Sequence, residues 1–445
     1  MSQKNLVFLV LDSFRKDRMS VYNNEIDFTP NLQNIADSST VYYNAVSQAP
    51  WTLPSTASMF TGEYPWEHQA TNQHLYLNYN GKTLADKFKE EDFHTKVISP
   101  NMLISPSVGT ADGFEDVDNL LGLAGRKPIQ TISAKATQIF NLIPSNIRRK
   151  ITLKLDNLFS GRMELCKSRE TVQKTKEFLR DVEDDKFFLF VNLMSAHEPY
   201  ELGEPPKEYL DKHNVQDIDM VPNTGREFFE LEDDEYSLED MERAYDAAVE
   251  FTDDLVGEIH ESIKENNLEQ DTIFIVAADH GQAVGKDKVY GHHFTVMDRV
   301  TEVPLMIKDP ENEPKENHDL FELRQLYDLI PHLTGIGEEP EEVDEIKGGY
   351  EFPETIRGII PEDLKESHDR KFRFVKTKSK KIVKSIGRSG EAEYEISDYG
   401  KGKENHSDKE LKKKVNNIGD SSEVENEDDV DDEEVKKKLE DLGYM

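Results

Sequence analysis

Cysteine is nearly absent. Cys166 stands alone among 445 residues, which excludes an intrachain disulfide and makes a reducing, cytoplasmic setting the expectation. Positive charge is also scarce. Lys and Arg number 54 against 90 Asp and Glu, a formal net charge of −36, and this balance excludes sequence-independent nucleic-acid binding as a function class. Long apolar runs are missing, since none approaches the roughly 20 residues that span a bilayer. No internal repeat is visible. The opening "MSQKNLVFLVLDSFRKD" reaches Asp12 too soon for a secretory signal and reads as a first strand.

What is present has an alternating texture. "NLVFLVLD" (residues 5–12) is the near-continuous apolar run of a parallel strand buried on both faces. "TPNLQNIADSS" reads as a helix capped by Thr29 with Pro30 in its first turn. "KTLADKFKEEDFHTKVIS", "ETVQKTKEFLRDVEDDKFFLFVNLM" and the stretch from "LEDMERAYDAAVEF" to "TIFIVAAD" each read as helix then strand. "EVPLMIK" adds a strand and "LFELRQLYDLIPHLTGIG" a helix. Such alternation predicts an α/β fold with a mostly parallel central sheet flanked by helices. The expected organisation is a catalytic domain over 1–337 and a small C-terminal α+β subdomain with an antiparallel sheet over 338–420. An acidic, disordered run with a terminal helix is expected over 421–445. The acidic surface is similar to that of halophilic proteins; the plain alternative is an ordinary acidic protein with an acidic tail.

Polar residues collect just after the expected strands, where α/β sheets place ligand sites. Asp12 follows the first, His197 follows "FFLFVNL", and Asp279 and His280 follow "TIFIVA", with His292 and His293 soon after. Taken singly, such an Asp is ordinarily a helix cap and such a His a satisfied polar residue. Their joint arrival at strand ends is harder to obtain from structure alone. "SQAPWTLPSTASMFTGEYP" adds Thr52 at the mouth of a short helix, with Pro54 suited to its first position and Gly62 to its end. Helix N-termini favour anions.

The order of strand-Asp12, "TPNL", "APWTLPSTASMFTGEYP", "HEPY", "ADHG" and "GHHF…VPLMI" resembles the sulfatase family of the alkaline phosphatase superfamily, from residue 5 to about residue 337. The resemblance implies that Asp12, Asp279 and His280, with Thr52, bind one divalent cation of Mn²⁺, Ca²⁺ or Mg²⁺ type. It places Thr52 at the nucleophile position, and His197 and His293 (rather than His292) against the ester. The partner is then a small-molecule, glycan-linked or lipid-linked sulfate or phosphate ester.

The departures narrow the chemistry. The family's C-x-P-x-R motif reads "TLPST" here. Thr52 carries a β-methyl and cannot become the formylglycine aldehyde, Thr56 replaces the motif's arginine, and Ser13 replaces a second aspartate. This site looks closer to the threonine-nucleophile branch that makes phosphoglycerol-type polymers. A formylglycine hydrate expels sulfate by collapsing to the aldehyde, whereas threonine sulfate must be displaced at sulfur. Phosphothreonine turns over by in-line displacement. The expectation is a metal-dependent hydrolase or transferase acting through a covalent Thr52 intermediate. The alternatives are a phosphotransferase that needs a second acceptor and a non-catalytic ester-binding protein.

One charge anomaly remains. Over residues 119–163 the chain carries Arg126, Lys127, Lys135, Arg148, Arg149, Lys150, Lys154 and Arg162 against Asp156 alone. Apolar residues interleave them, broken at Pro144. The segment reads as a basic amphipathic helical insertion, serving as a lid over the site or as a peripheral contact with an anionic membrane.

Overall fold

The central strand β1 (Asn5–Leu11) is buried along its whole length, as an apolar run must be when both neighbours and both faces are covered. The computed structural model describes residues 3–120, 167–182, 186–200, 204–231, 235–285, 288–399, 402–403 and 408–419. The basic segment beyond Leu120, and the acidic run and terminal helix expected over 421–445, lie outside them. No helix among the described residues is long and apolar enough to cross a membrane.

With β2 (Thr40–Val46), β3 (His94–Ser99), β4 (Asp116–Asn119), β5 (Phe187–Leu193), β6 (Thr272–Ala278), β7 (Leu305–Lys308) and β8 (Lys315–Glu322), β1 forms an eight-stranded sheet ordered β4-β3-β5-β1-β6-β7-β2-β8. Only β7 runs against its neighbours; the other pairs are parallel. Helices cover the sheet, the longest being Leu238–Glu265. Phe190 on β5 meets Phe8 on β1 edge-on at 5.3 Å and Phe60 at 5.0 Å between ring centroids. This packing fixes the helix that bears Phe60 against the two central strands.

Three local expectations are corrected. Thr29 does not cap the helix Pro30–Ala36. Its hydroxyl accepts the Ser20 N–H, and Asp253, far away in sequence, takes the Asn31 and Leu32 N–H groups at 3.0 and 2.8 Å. Pro54 is not the first residue of its helix, which runs Thr52–Thr61 and ends at Gly62 with φ 77°. Proline is tolerated in that first turn because the amide it lacks has no partner there. "LFE" in "LFELRQLYDL" completes β8 instead of opening a helix, because Asn44 to Val46 of β2 pair with Leu320 to Glu322. The helix proper is Leu326–Leu333.

Past the large sheet, β9 (Ile346–Tyr350), β10 (Lys371–Lys376), β11 (Lys380–Ile386), β12 (Ala392–Asp398) and β13 (Gly402–Lys403) make an antiparallel sheet. The helix Lys409–Asn416 covers it through Leu411 and Val415, which pack with Val375, Ile382 and Ile396. The small sheet is seated on the large one. Ile346, Tyr350 and Phe374 share a core with Val46, Trp51 and Leu53, and the Gly349 N–H donates to the Gln48 carbonyl at 2.9 Å. Buried Lys381 donates to the Val296 carbonyl, Asp298 and the Thr301 hydroxyl at 2.7, 2.8 and 3.0 Å.

Candidate active site

Strands β1 and β6 are adjacent and parallel, with Leu11 opposite Ala278, so the residues that follow them emerge side by side. Asp12 and Asp279-His280 are all fully buried. The turn after Asp12 is tight: Ser13 takes φ 60°, and its N–H donates to Asp279 Oδ1 at 3.3 Å while its hydroxyl donates to Asp12 Oδ1 at 3.1 Å. Tyr245 locks this turn, donating to the Ser13 carbonyl at 2.8 Å and accepting the Arg15 N–H at 2.7 Å. Gly281 leaves room for the return of the chain, since a Cβ there would fall 2.1 Å from the Arg299 carbonyl.

Thr52 is the first residue of its helix, and the preceding Trp51 supplies no side-chain cap. Thr52 Oγ1 lies 3.4 Å from Asp12 Oδ2 and 3.3 Å from His280 Nε2. Ser55, one turn further, donates to the Asp279 carbonyl at 2.8 Å and accepts from the Ser47 hydroxyl at 3.0 Å, tying this helix to the end of β6.

Donor atoms of Asp12, Asp279 and His280 lie within 4.8 Å of one another. Two buried carboxylates this close repel each other, and burial, then the charge of Asp12, pushes Asp279 well above the usual carboxylate range. Asp279 Oδ2 has no hydrogen-bond partner. Burial pushes His280 down to about 4, so its ring is neutral at pH 7. Its Nδ1–H donates to the Gly281 carbonyl at 2.9 Å, and Nε2 faces Asp12 and Asp279 at 3.7 and 3.5 Å. Two carboxylates and one oriented neutral imidazole, with an unpartnered buried oxygen, are a donor set that fits a divalent cation.

Around Thr52 a pocket is lined by Trp51, Asn72, Leu103, His197, His292 and His293, among others, and among the described residues none that lines it is Lys or Arg. Thr56, at the position of the expected arginine, is fully buried with its hydroxyl unpartnered. His292 lies between His280 and His197, with ring centroids 4.4 and 5.2 Å away. His293 packs beside it at 4.5 Å and meets Trp51 at 5.7 Å. Burial lowers His293 to about 3 and His292 well below the usual imidazole range. For His197 burial acts in the same direction, but the charges of Glu198 and Asp12 more than offset it, so its pKa is raised.

The structure therefore gathers Asp12, Thr52, Asp279 and His280 at one point, with His197 and His293 on the same pocket wall. It adds His292, which the sequence ranked behind His293, and Asn101, which donates to Asp12 Oδ2 at 2.8 Å. Asn101 carries no motif; its signal is its place just past β3, where the sheet presents polar residues. Glu198 was visible only as a letter of "HEPY".

His68 packs against the helix Thr52–Thr61 through Ser58. Its Nδ1 accepts the Ala70 N–H and its Nε2–H donates to Ser58 Oγ, both at 3.1 Å. Burial pushes it from the ordinary 6.5 down to about 3. The unfolded chain binds this proton from about pH 6.5 and the folded chain only near 3, so acidification through that window destabilises the fold. Each pH unit contributes ~1.4 kcal/mol. His68→Gln is expected to remove that much of the slope, measured by urea unfolding at pH 7 and pH 5. An unchanged slope would mean that His68 titrates normally.

The sulfatase family model matches residues 4–336. An arylsulfatase of Clostridium perfringens is 25% identical over 403 residues, covering 83% of this chain and 80% of that protein. An ulvan-active sulfatase of Formosa agariphila is 22% identical over 369 residues, covering 82% and 67%. Among solved structures, the phosphonate monoester hydrolase of Agrobacterium radiobacter has the same fold, with a TM-score of 0.63 at 15% identity over 90% of each chain. A matching family model across the large sheet, and relatives that extend into the small one, identify the chain as a member of the sulfatase family of the alkaline phosphatase superfamily.

Proposed function

We propose that this protein hydrolyses phosphate esters in preference to sulfate esters, with Thr52 as a covalent nucleophile. The observation that carries the reading is the position of Thr52 Oγ1, 3.3 Å from His280 Nε2 and 3.4 Å from Asp12 Oδ2, at an uncapped helix N-terminus. Asp12, Asp279 and His280 would hold one divalent cation. When bound, such a cation neutralises the paired carboxylates, favours ionisation of a nearby hydroxyl and stabilises charge on the transferring group.

Thr52 Oγ1 attacks the phosphorus, forming an Oγ1–P bond as the bond to the leaving alcohol breaks. The threonine proton is lost to solvent and the leaving oxygen takes one up. Water then attacks the phosphothreonine, its oxygen bonding to phosphorus as the Oγ1–P bond breaks, and the hydroxyl is restored. The N-terminal end of the helix Thr52–Thr61 carries the positive end of the helix dipole, the right sign for an anion. His293, neutral at pH 7, acts as a hydrogen-bonding wall and not as an acid. His197 presents the second imidazole to the ester.

The preference for phosphorus follows from the exit route, because a threonine ester has no aldehyde to collapse to. With the protein carrying unmodified Thr52 and Mn²⁺ supplied, kcat/KM for an aryl phosphodiester is expected to exceed that for the matching aryl sulfate by more than about tenfold, or ~1.4 kcal/mol in barrier. Efficient multiple-turnover sulfate release would overturn the preference. Slow hydrolysis that accelerates when a polyol acceptor is added would assign transfer instead.

A further inference from the structure

We propose that Lys381, on β11 of the small sheet, is a positioning residue that aligns three segments of the catalytic centre on the large one. Its effect on turnover rests on the proposed function above; its effect on the local fold does not.

Lysine is an unusual residue to bury. Only 4% of the Lys381 side chain is exposed, and a lone ammonium in such a place would be costly. The fold meets each of its three N–H donors: the Val296 carbonyl at 2.7 Å, Asp298 Oδ1 at 2.8 Å and Thr301 Oγ1 at 3.0 Å. An apolar side chain of the same length would bring no charge to desolvate, but it would specify no direction. Hydrogen bonds from one atom to three residues fix the short helix Asp298–Thr301, and the turn before it, in a single orientation. Just past that helix Lys376 of β10 adds a second hold, donating to Glu302 Oε1 at 2.6 Å while Lys16 donates to Oε2 at 3.2 Å.

What this helix touches gives the contact its consequence. Its Val300 carbonyl accepts the Gly281 N–H at 2.8 Å, directly after His280. Its Thr301 carbonyl accepts the Ser47 N–H at 2.8 Å, and the Ser47 hydroxyl donates to Ser55 on the helix that starts with Thr52. Val296, whose carbonyl Lys381 holds, lies three residues past His293. The loop of His293, the end of β6 and the approach to Thr52 therefore meet on one short helix, and Lys381 reaches it from a different sheet. Lys381 acts by alignment alone, and misplacing a reacting group by about 1 Å costs on the order of 100-fold in rate.

The test pairs kinetics with hydrogen exchange on the full chain, using Lys381→Met, which keeps a side chain of similar length and removes its donors. With an aryl phosphodiester and Mn²⁺, kcat per folded molecule is expected to fall by about 100-fold at nearly unchanged KM. Peptides holding Ser47 and Gly281 should exchange their amides at least about tenfold faster, and by a larger factor than peptides from β1 and β5. Lys378→Met, which removes an exposed lysine between β10 and β11, should change neither. If Lys381→Met does not fold, Thr301→Val, which removes one of the three acceptors, should move both readings the same way by smaller factors. Equal acceleration in all these peptides would make Lys381 a stabilising residue alone and overturn the proposal. So would a fall in kcat without faster exchange at Ser47 and Gly281, faster exchange there with kcat unchanged, or a loss carried by KM alone. A wild type that turns over no phosphate or sulfate ester overturns the proposed function instead, and the exchange pattern then decides Lys381 by itself.

Discussion

Thr52→Ala is expected to lower kcat by on the order of 10⁴-fold or more, the scale on which a deleted nucleophile acts, while the protein stays folded. The alternative role for this hydroxyl is a helix cap, whose loss typically costs ~1 kcal/mol of stability and leaves the chemistry alone. The geometry separates the two. A capping side chain sits on the residue before the helix and accepts an N–H from its first turn, whereas Thr52 is already the first helical residue and no side chain caps this end. Its hydroxyl contacts Asp12 and His280 instead. Thr52→Ser keeps that oxygen and should retain turnover, since it loses only the methyl. Steady-state rates with an aryl phosphodiester, paired with thermal melts, check both. An alanine variant that keeps its rate but melts earlier would reduce Thr52 to a structural residue. Metal binding to Thr52→Ala should be weakened but present, because the three charged or imidazole donors remain.

How much of this could be read from the chain depends on how far each signal travels. The buried strands were legible because β1, β5 and β6 are apolar along nearly their whole length, which a strand sealed on both faces requires. The residues after them were legible for the same reason: Asp12, Asp279 and His280 interrupt an apolar run at the point where the sheet opens to a ligand. β2 and β8 were not legible. β8 is mostly exposed over its first half, so its polar residues look like loop, and only its pairing with β2 makes it a strand. Thr29 had the right residue type for a cap, but Asp253 takes the N–H groups it would have served. Asn101 reaches Asp12 across 89 positions, a contact that no local pattern encodes. The placement of His292 between His197 and His280 likewise depends on three separate segments meeting.

Asp279→Asn is expected to divide stability from metal binding. Without a cation, Asp12 and Asp279 are fully buried neighbours, and burial and the charge of Asp12 hold Asp279 well above the usual carboxylate range. An amide of the same shape carries no charge to desolvate or repel, so the metal-free variant should melt at the wild-type temperature or above it. With metal the order reverses. A ligand at 1,000 times its Kd stabilises a fold by about 4.1 kcal/mol, and the wild type should gain on that scale when Mn²⁺ is in excess. The variant lacks the carboxylate whose Oδ2 is otherwise unpartnered, and should lose most of that gain. The pH dependence carries the same signature. A cation binds the ionised carboxylate, and a raised pKa means that a proton must first leave, so wild-type affinity should fall as pH falls through the raised Asp279 range. The asparagine variant has no such proton to release, and its residual affinity should depend less on pH. Thermal melts of chelator-treated protein, with and without Mn²⁺ at pH 6 and pH 8, measure every term. A variant that keeps the full Mn²⁺-induced rise at both pH values would remove Asp279 from the cation site.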